Sequence, residues 1–88
     1  MSFLHQREYL DSGDLVIVDC DHQCNVRLTD DHNFSALRSG GKHTYHGGFY
    51  QRLPARIQVP GTGWWNITLD LGGRSARIRH SIRVIKAN

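Results

Sequence analysis

Short blocks in which apolar and polar residues alternate recur along this sequence, and they most constrain what it can fold into. On a strand, successive side chains point to opposite faces of the sheet. In residues 64–71 one phase is apolar, Trp65, Ile67, Leu69 and Leu71. The other phase consists of Trp64, Asn66, Thr68 and Asp70. We therefore predict a strand with an inner row that includes Trp65 and an outer row that includes Trp64.

The last block alternates in the same way, with arginine in place of the polar residues. Its predicted inner row is Ala76, Ile78, His80, Ile82 and Val84. Its predicted outer row is Arg77, Arg79, Ser81 and Arg83. Within the inner row we expect His80 to be a core histidine with a hydrogen-bond partner, and the alternative is a pH-sensitive group or a ligand contact.

Other segments are bounded by Gly, Pro, Asp and Asn, as is typical of antiparallel proteins. Further strands are predicted in residues 3–8 (an edge strand), 15–20, 24–30, 42–50 and 55–60. The tip at residues 21–23 predicts a hairpin between 15–20 and 24–30. Residues 30–41 predict one short helix, with Asp30 or Asp31 as its N-cap and Gly40 at its end. The glycines at 47 and 48 predict a bulge or tight bend.

Seven or so short strands, each with one apolar row, need a second apolar surface to cover that row. Two packed antiparallel sheets provide it. We expect a jelly-roll-like β-sandwich with one helical turn, and a small closed barrel is the alternative. The 88 residues suit a single domain, residues 1–88.

The sequence also indicates the cellular compartment of the protein. It has no apolar run of the ~20 residues that a membrane helix needs. His5, Arg7 and Glu8 interrupt the stretch in which a secretory leader would be apolar. We therefore expect a cytoplasmic protein without membrane contact, whose two cysteines are reduced thiols.

Few residues suggest catalysis or a metal site. Cys20, His22 and Cys24 surround the predicted tip, but a structural zinc site usually takes ligands from two separate segments. The second pair would have to be His43 and His46, and no sequence signal brings them near the tip. No nucleophile elbow or phosphate-binding glycine loop occurs. We expect no metal, no cofactor and no enzymatic activity.

Charge is divided unequally along the chain. Residues 1–44 carry four basic and seven acidic side chains, whereas residues 45–88 carry seven basic and one acidic. Such a division indicates an anion-binding face, or opposite charges that meet inside the fold.

An exposed tryptophan beside arginines is typical of a contact surface. The candidate residues of this surface are Trp64, Arg77, Arg79, Arg83 and Arg27. We expect a binding or interaction module whose partner is a protein or a second copy of this chain, and a small anionic ligand is possible. The alternative is binding of nucleic acid or a nucleotide by the arginine face.

Four blocks also carry a resemblance to a known family. They are MSFLHQREYLDSGD, NVRLTDDHNFSALRSGGKHTYHGG, VPGTGWWNITLDLGG and IRHSIRV. Together they resemble the bacterial family of domain of unknown function 1883. Members occur alone or joined to Toll/interleukin-1-receptor-like domains, so the resemblance implies an accessory or sensing role in bacterial signalling or defence. The cysteine pair and the second tryptophan depart from the family pattern.

Overall fold

Seven strands and one helix form the part of the chain that the structure describes. The structure is a computed structural model, and it describes residues 4–70 and 79–87. The strands are β1 (Leu4–Leu10), β2 (Leu15–Cys20), β3 (Cys24–Asp30), β4 (His46–Tyr50), β5 (Ala55–Gln58), β6 (Gly63–Asp70) and β7 (His80–Ile85). The helix α1 (Asp31–Arg38) lies between β3 and β4.

The strands form two antiparallel sheets. One sheet has four strands in the order β1-β6-β3-β4, and the other has three in the order β5-β2-β7. The described strands form two open sheets and no closed barrel. The prediction of a β-sandwich is therefore confirmed, and β1 is an edge strand as expected.

The core lies between the two sheets and is built by the alternating rows. The three-stranded sheet contributes Val16 and Val18, and the four-stranded sheet contributes Val26, Leu28 and Ile67, all fully buried. In the four-stranded sheet the neighbours of these side chains along their own strands are polar, as the alternation predicted. In β2 the alternation is weaker, because Ile17, between Val16 and Val18, is also buried. Burial of such rows is the main favourable term in the folding of a small domain.

The predicted hairpin between β2 and β3 is wrong. The two strands belong to different sheets, so the chain crosses from one sheet to the other at residues 21–23. The physical reason is that both strands carry a fully apolar row. Such a row shows only which face of a strand is buried, and here the two rows are buried against each other from opposite sheets.

Helix α1 begins and ends as predicted. The Asp30 carboxylate accepts the backbone N–H of Asn33 at 2.8 Å, which identifies Asp30 as the N-cap. Gly40 has a φ of 79°, and its N–H donates to Leu37. The N–H of Gly41 donates to Ala36. This pair of hydrogen bonds is a Schellman motif, which requires a positive φ at the position of Gly40.

Strand β7 differs from the prediction at its first residue. Ile82 and Val84 are half-buried and pack against the core, but His80 is exposed. His80 is the first residue of the strand and pairs with Cys20 at the end of β2, where the sheet meets solvent. The prediction of a core histidine is therefore wrong. The predicted inner residues Leu71, Ala76 and Ile78 lie outside the described residues.

The tryptophan pair has the predicted phase, although the outer row is less exposed than expected. Trp65 is half-buried, packs against the core and donates from Nε1 to the Gly61 carbonyl at 2.8 Å. Trp64 is 49% exposed. Asn66 and Thr68 are each 1% exposed, because β1, β3 and α1 cover this part of the outer face and take up their hydrogen bonds.

Candidate interaction surface

Trp64 lies beside two residues of the neighbouring edge strand. Its direct cross-strand partner on β1 is Tyr9, and the two rings meet edge to face with centroids 5.4 Å apart. Tyr9 is 53% exposed. The guanidinium of Arg7 lies above the Trp64 ring, with Cζ 4.1 Å from the ring centroid. We call Arg7, Tyr9 and Trp64 the aromatic corner.

Arg7 is held in place by the first residue of α1. It donates from Nε to Asp31 Oδ1 at 3.0 Å and from Nη2 to Oδ2 at 2.6 Å. This bidentate geometry is the strongest arrangement for an arginine and a carboxylate. The hydrogen bonds from Arg7 come first among the causes that lower the pKa of Asp31 to about 2. The aromatic corner therefore contains a fixed cation over an exposed indole.

Asn66 connects this ion pair to the inside of the sheet. Its amide donates to Asp31 Oδ1 at 2.8 Å, and its carbonyl oxygen accepts from His5 Nε2 at 2.8 Å. The His5 ring in turn stacks on Phe34 of α1, with centroids 4.0 Å apart. A buried amide whose donor and acceptor sides are both satisfied resists rearrangement. This network fixes the helix against the strands that carry Arg7 and Trp64.

Among the predicted arginines in the described residues, Arg83 lies in the other sheet from Trp64, and Arg27 and Arg79 make local contacts. Arg83 lies on β7 between two residues that pack against the core, so it is on the outer face of the three-stranded sheet. Trp64 is on the outer face of the four-stranded sheet. Arg83 and Arg56 pair with Ile17 from opposite sides, and Ile17 is only 4% exposed. Their aliphatic stems are placed to cover an apolar residue on that face.

Arg79 and Arg27 each make contacts within their own part of the fold. The carbonyl of Arg79 accepts the N–H of Asp21 at 3.1 Å, and Arg79 lines an open pocket near the β2–β3 connection. Arg27 is paired with Asp70 at 3.7 Å and lies over the Tyr45 ring at 5.1 Å. Its side chain is only 19% exposed, which leaves little of it for a partner. Arg77 lies outside the described residues.

In the described residues, strands from the acidic and the basic halves of the sequence are interleaved. Strand β2 of the acidic half lies between β5 and β7 of the basic half, and β6 of the basic half lies between β1 and β3. Ion pairs join the halves, as Arg27 does with Asp70 and as Lys86 does with Asp11 and Asp14. Opposite charges meet inside the fold, which was one of the two predicted interpretations.

The histidines and cysteines occupy separate places. His43 precedes β4 and hydrogen-bonds the Gly41 carbonyl at 3.0 Å, whereas the His46 ring lies edge-on to Trp65 at 6.0 Å. Cys20 and Cys24 are buried free thiols. Among residues 4–70 and 79–87, no three His, Cys, Asp or Glu side chains are arranged to hold a metal ion.

Sequence reasoning missed Arg7 and Tyr9. Both are unremarkable in a polar edge strand, and they join Trp64 only because β1 pairs with β6 across more than fifty residues of chain. The one available signal was that a large apolar residue on an outer row needs a neighbour to cover it.

Comparisons with known proteins bear on the identity of the chain. In the part that the structure describes, the helix is too short and too polar to cross a membrane. No curated protein and no solved structure matches the chain. A family model described as "Domain of unknown function (DUF1883)" matches residues 1–88, the whole sequence. The chain therefore belongs to the DUF1883 family.

Proposed function

We propose that this domain is a non-enzymatic binding module that contacts a protein partner through the aromatic corner. The observation that carries the proposal is the exposure of two large rings side by side, 49% for Trp64 and 53% for Tyr9. Tryptophan, tyrosine and arginine are the residue types most enriched where protein interfaces gain their affinity. All three occur together in the aromatic corner.

Rigidity of the aromatic corner supports the same function. Arg7 is held by Asp31 on one side and by the Trp64 ring on the other. Side chains that are already ordered lose little conformational entropy when a partner binds. More of the favourable free energy of the contacts with a partner then appears as binding affinity.

The chemistry of the aromatic corner also indicates which kind of partner would bind there. The two rings offer an apolar surface, and the guanidinium of Arg7 has further N–H donors beyond those that bind Asp31. The best-matched partner is a protein segment with an apolar side chain next to a carboxylate. We propose that this function is carried out in the bacterial cytoplasm, whose reducing environment keeps cysteines as free thiols unless an oxidant reaches them. An accessory or sensing role in signalling or defence is compatible with it.

Nucleic-acid binding is less well supported by the same geometry. A single-stranded nucleic acid needs aromatic faces for base stacking beside a continuous cationic track. Arg7 covers one face of the Trp64 ring. Arg83 lies on the other sheet, and Arg27 is bound to Asp70.

Peptide selection tests the proposal. A random peptide library is selected against the immobilised domain, and the affinities of the selected peptides are measured by fluorescence anisotropy. We expect carboxylate-bearing peptides that bind Trp64→Ala at least ~10-fold more weakly than the wild type. Phe49→Ala is the matched control, because Phe49 is 56% exposed on the opposite edge strand of the same sheet. It should leave the affinity unchanged.

Two results would contradict the proposal. One is a set of selected peptides whose affinity is the same for the wild type and Trp64→Ala. The other is binding of a single-stranded oligothymidine that Trp64→Ala abolishes, which would assign the aromatic corner to nucleic acid.

A further inference from the structure

Two thiols lie where the chain crosses from one sheet to the other. Cys20 ends β2 and Cys24 begins β3, with three residues between them. Their side chains belong to the same core cluster, and they are 8% and 1% exposed. Because β2 and β3 face each other across the core, the two side chains point toward each other from opposite sheets. The binding surface proposed above makes no use of this pair.

An open pocket of about 420 Å³ adjoins one of the two thiols. Its lining residues are Asp19, Cys20, Asp21, Arg79, His80 and Ser81. Cys24 is not among them. His80 is the direct cross-strand partner of Cys20, and both residues line the pocket. The pocket has room for a small molecule, and of the two cysteines only Cys20 borders it.

Burial also limits the reactivity of Cys24. Burial raises the pKa of the Cys24 thiol to about 12, and the neighbouring Cys20 thiol adds to the rise. Cys24 is therefore held as a thiol at neutral pH, and thiols are poor nucleophiles. An incoming reagent meets Cys20 first.

We propose that Cys20 and Cys24 are a redox-active pair that a small organic disulfide oxidises through this pocket. In the first step the Cys20 thiolate attacks one sulfur of the reagent, whose S–S bond breaks. One thiolate leaves and takes up the proton from Cys20. In the second step Cys24 gives up its proton and attacks Cys20 Sγ, which expels the second thiol. The two cysteines lose two electrons in total, and the reagent is reduced to two thiols.

Cystamine, a small dicationic disulfide, is a suitable probe because Asp19 and Asp21 line the pocket. The folded protein is incubated with cystamine, denatured and alkylated with iodoacetamide, and its mass is then measured by mass spectrometry. We expect the wild type to lose two hydrogens and to take no alkyl groups. Dithiothreitol should restore both thiols.

Single-cysteine variants separate the two steps. Cys24→Ser should stop at the first step and keep one cysteamine on Cys20. Cys20→Ser should react at least ~10-fold more slowly, since the remaining thiol is buried and protonated. Cys24→Ala repeats the measurement without a hydroxyl, and circular dichroism confirms that each variant is folded.

Two results would overturn the proposal. The first is a folded wild type that keeps both thiols under conditions in which the urea-unfolded chain is oxidised. The second is equal rates of modification for Cys20→Ser and Cys24→Ser, which would show that the pocket does not direct the reaction. Neither result depends on the aromatic corner, so this proposal and the proposed function are tested separately.

Discussion

Arg7 stacks on Trp64 with its guanidinium carbon 4.1 Å from the centre of the indole ring. The same guanidinium is bound at both its Nε and its Nη2 atom by Asp31. One exposed aromatic ring is thus connected to the start of α1 by a single side chain. Through Asn66, the connection continues into the four-stranded sheet.

Removal of Arg7 should uncover Trp64. In a Trp65→Phe background Trp64 is the single tryptophan, so excitation at wavelengths that tyrosine does not absorb measures its environment alone. We expect Arg7→Ala to shift the emission to longer wavelength and to increase quenching by acrylamide. Arg7→Lys should have a smaller effect, because lysine keeps the charge but loses the planar, bidentate geometry. Identical emission and quenching in Arg7→Ala and its parent would contradict this.

The two adjacent tryptophans should differ in their contribution to stability. Trp65→Ala removes a side chain that packs against the core, and we expect it to lower the free energy of unfolding by about 3 kcal/mol. Trp64→Ala should cost less than about 1 kcal/mol, since the ring is half exposed and its main contacts are with Arg7 and Tyr9. Urea unfolding measures both. A larger cost for Trp64→Ala would show that the strand phase is reversed.

Gly47 should not tolerate a side chain. A Cβ atom there would lie 2.3 Å from the carbonyl oxygen of Val26 and 3.0 Å from Ile57 Cδ1, and the residue has a φ of 112°. A Cβ atom at this position is disfavoured by the positive φ and would clash with its neighbours. Gly47→Ala should therefore lower the free energy of unfolding by about 2 kcal/mol or more. Gly61→Ala is the control, since a Cβ at Gly61 meets nothing within 4 Å. Equal melting temperatures for the two variants would contradict this.

The buried carboxylate of Asp14 should make stability depend on pH. It accepts the N–H groups of Asp11 and Ala87, each at 2.9 Å, and the ammonium of Lys86. The hydrogen bond from Lys86 is the largest cause that lowers the pKa of Asp14 from 3.8 to about 2. Between these values the unfolded chain binds more protons than the folded one. The contribution to stability is therefore complete above about pH 4 and is lost as the pH falls toward 2.

Urea midpoints from pH 5 to pH 2 check this expectation. We expect Asp14→Asn to be less stable than the wild type at pH 5 and to lose less stability on acidification. Lys86→Met should reduce the same dependence in part, because the two backbone donors remain. Parallel pH curves for wild type and Asp14→Asn would contradict the assignment to Asp14.

Local patterns in the sequence predicted most of the elements. The alternation in residues 64–71 identifies the phase of Trp64 and Trp65. The sequence also predicts the ends of α1, with Asp30 or Asp31 as the N-cap and Gly40 at the end, and the structure identifies Asp30 as the cap. These features depend on neighbours within a few residues, where side-chain periodicity and backbone preference act directly.

Features that depend on which strands are neighbours were not predictable in the same way. An apolar row shows which face of β2 is buried, but the same row suits a hairpin or a strand in the opposite sheet. Arg83 is separated from Trp64 for this reason, because β6 and β7 lie in different sheets. Likewise, the register that sets Tyr9 opposite Trp64 is a property of the whole fold.

The interleaved order of the strands implies that the domain folds cooperatively, and only after most of the chain has been synthesised. Strand β6 lies between β1 and β3, and β2 lies between β5 and β7, so each sheet combines early and late segments of the chain. A growing chain that ends before Gly63 lacks the strand that joins β1 to the rest of its sheet. Sheets with such distant pairings fold slowly, on the order of milliseconds to seconds. During synthesis, β1 therefore stays without β6, its partner among the described strands, until most of the chain has been made.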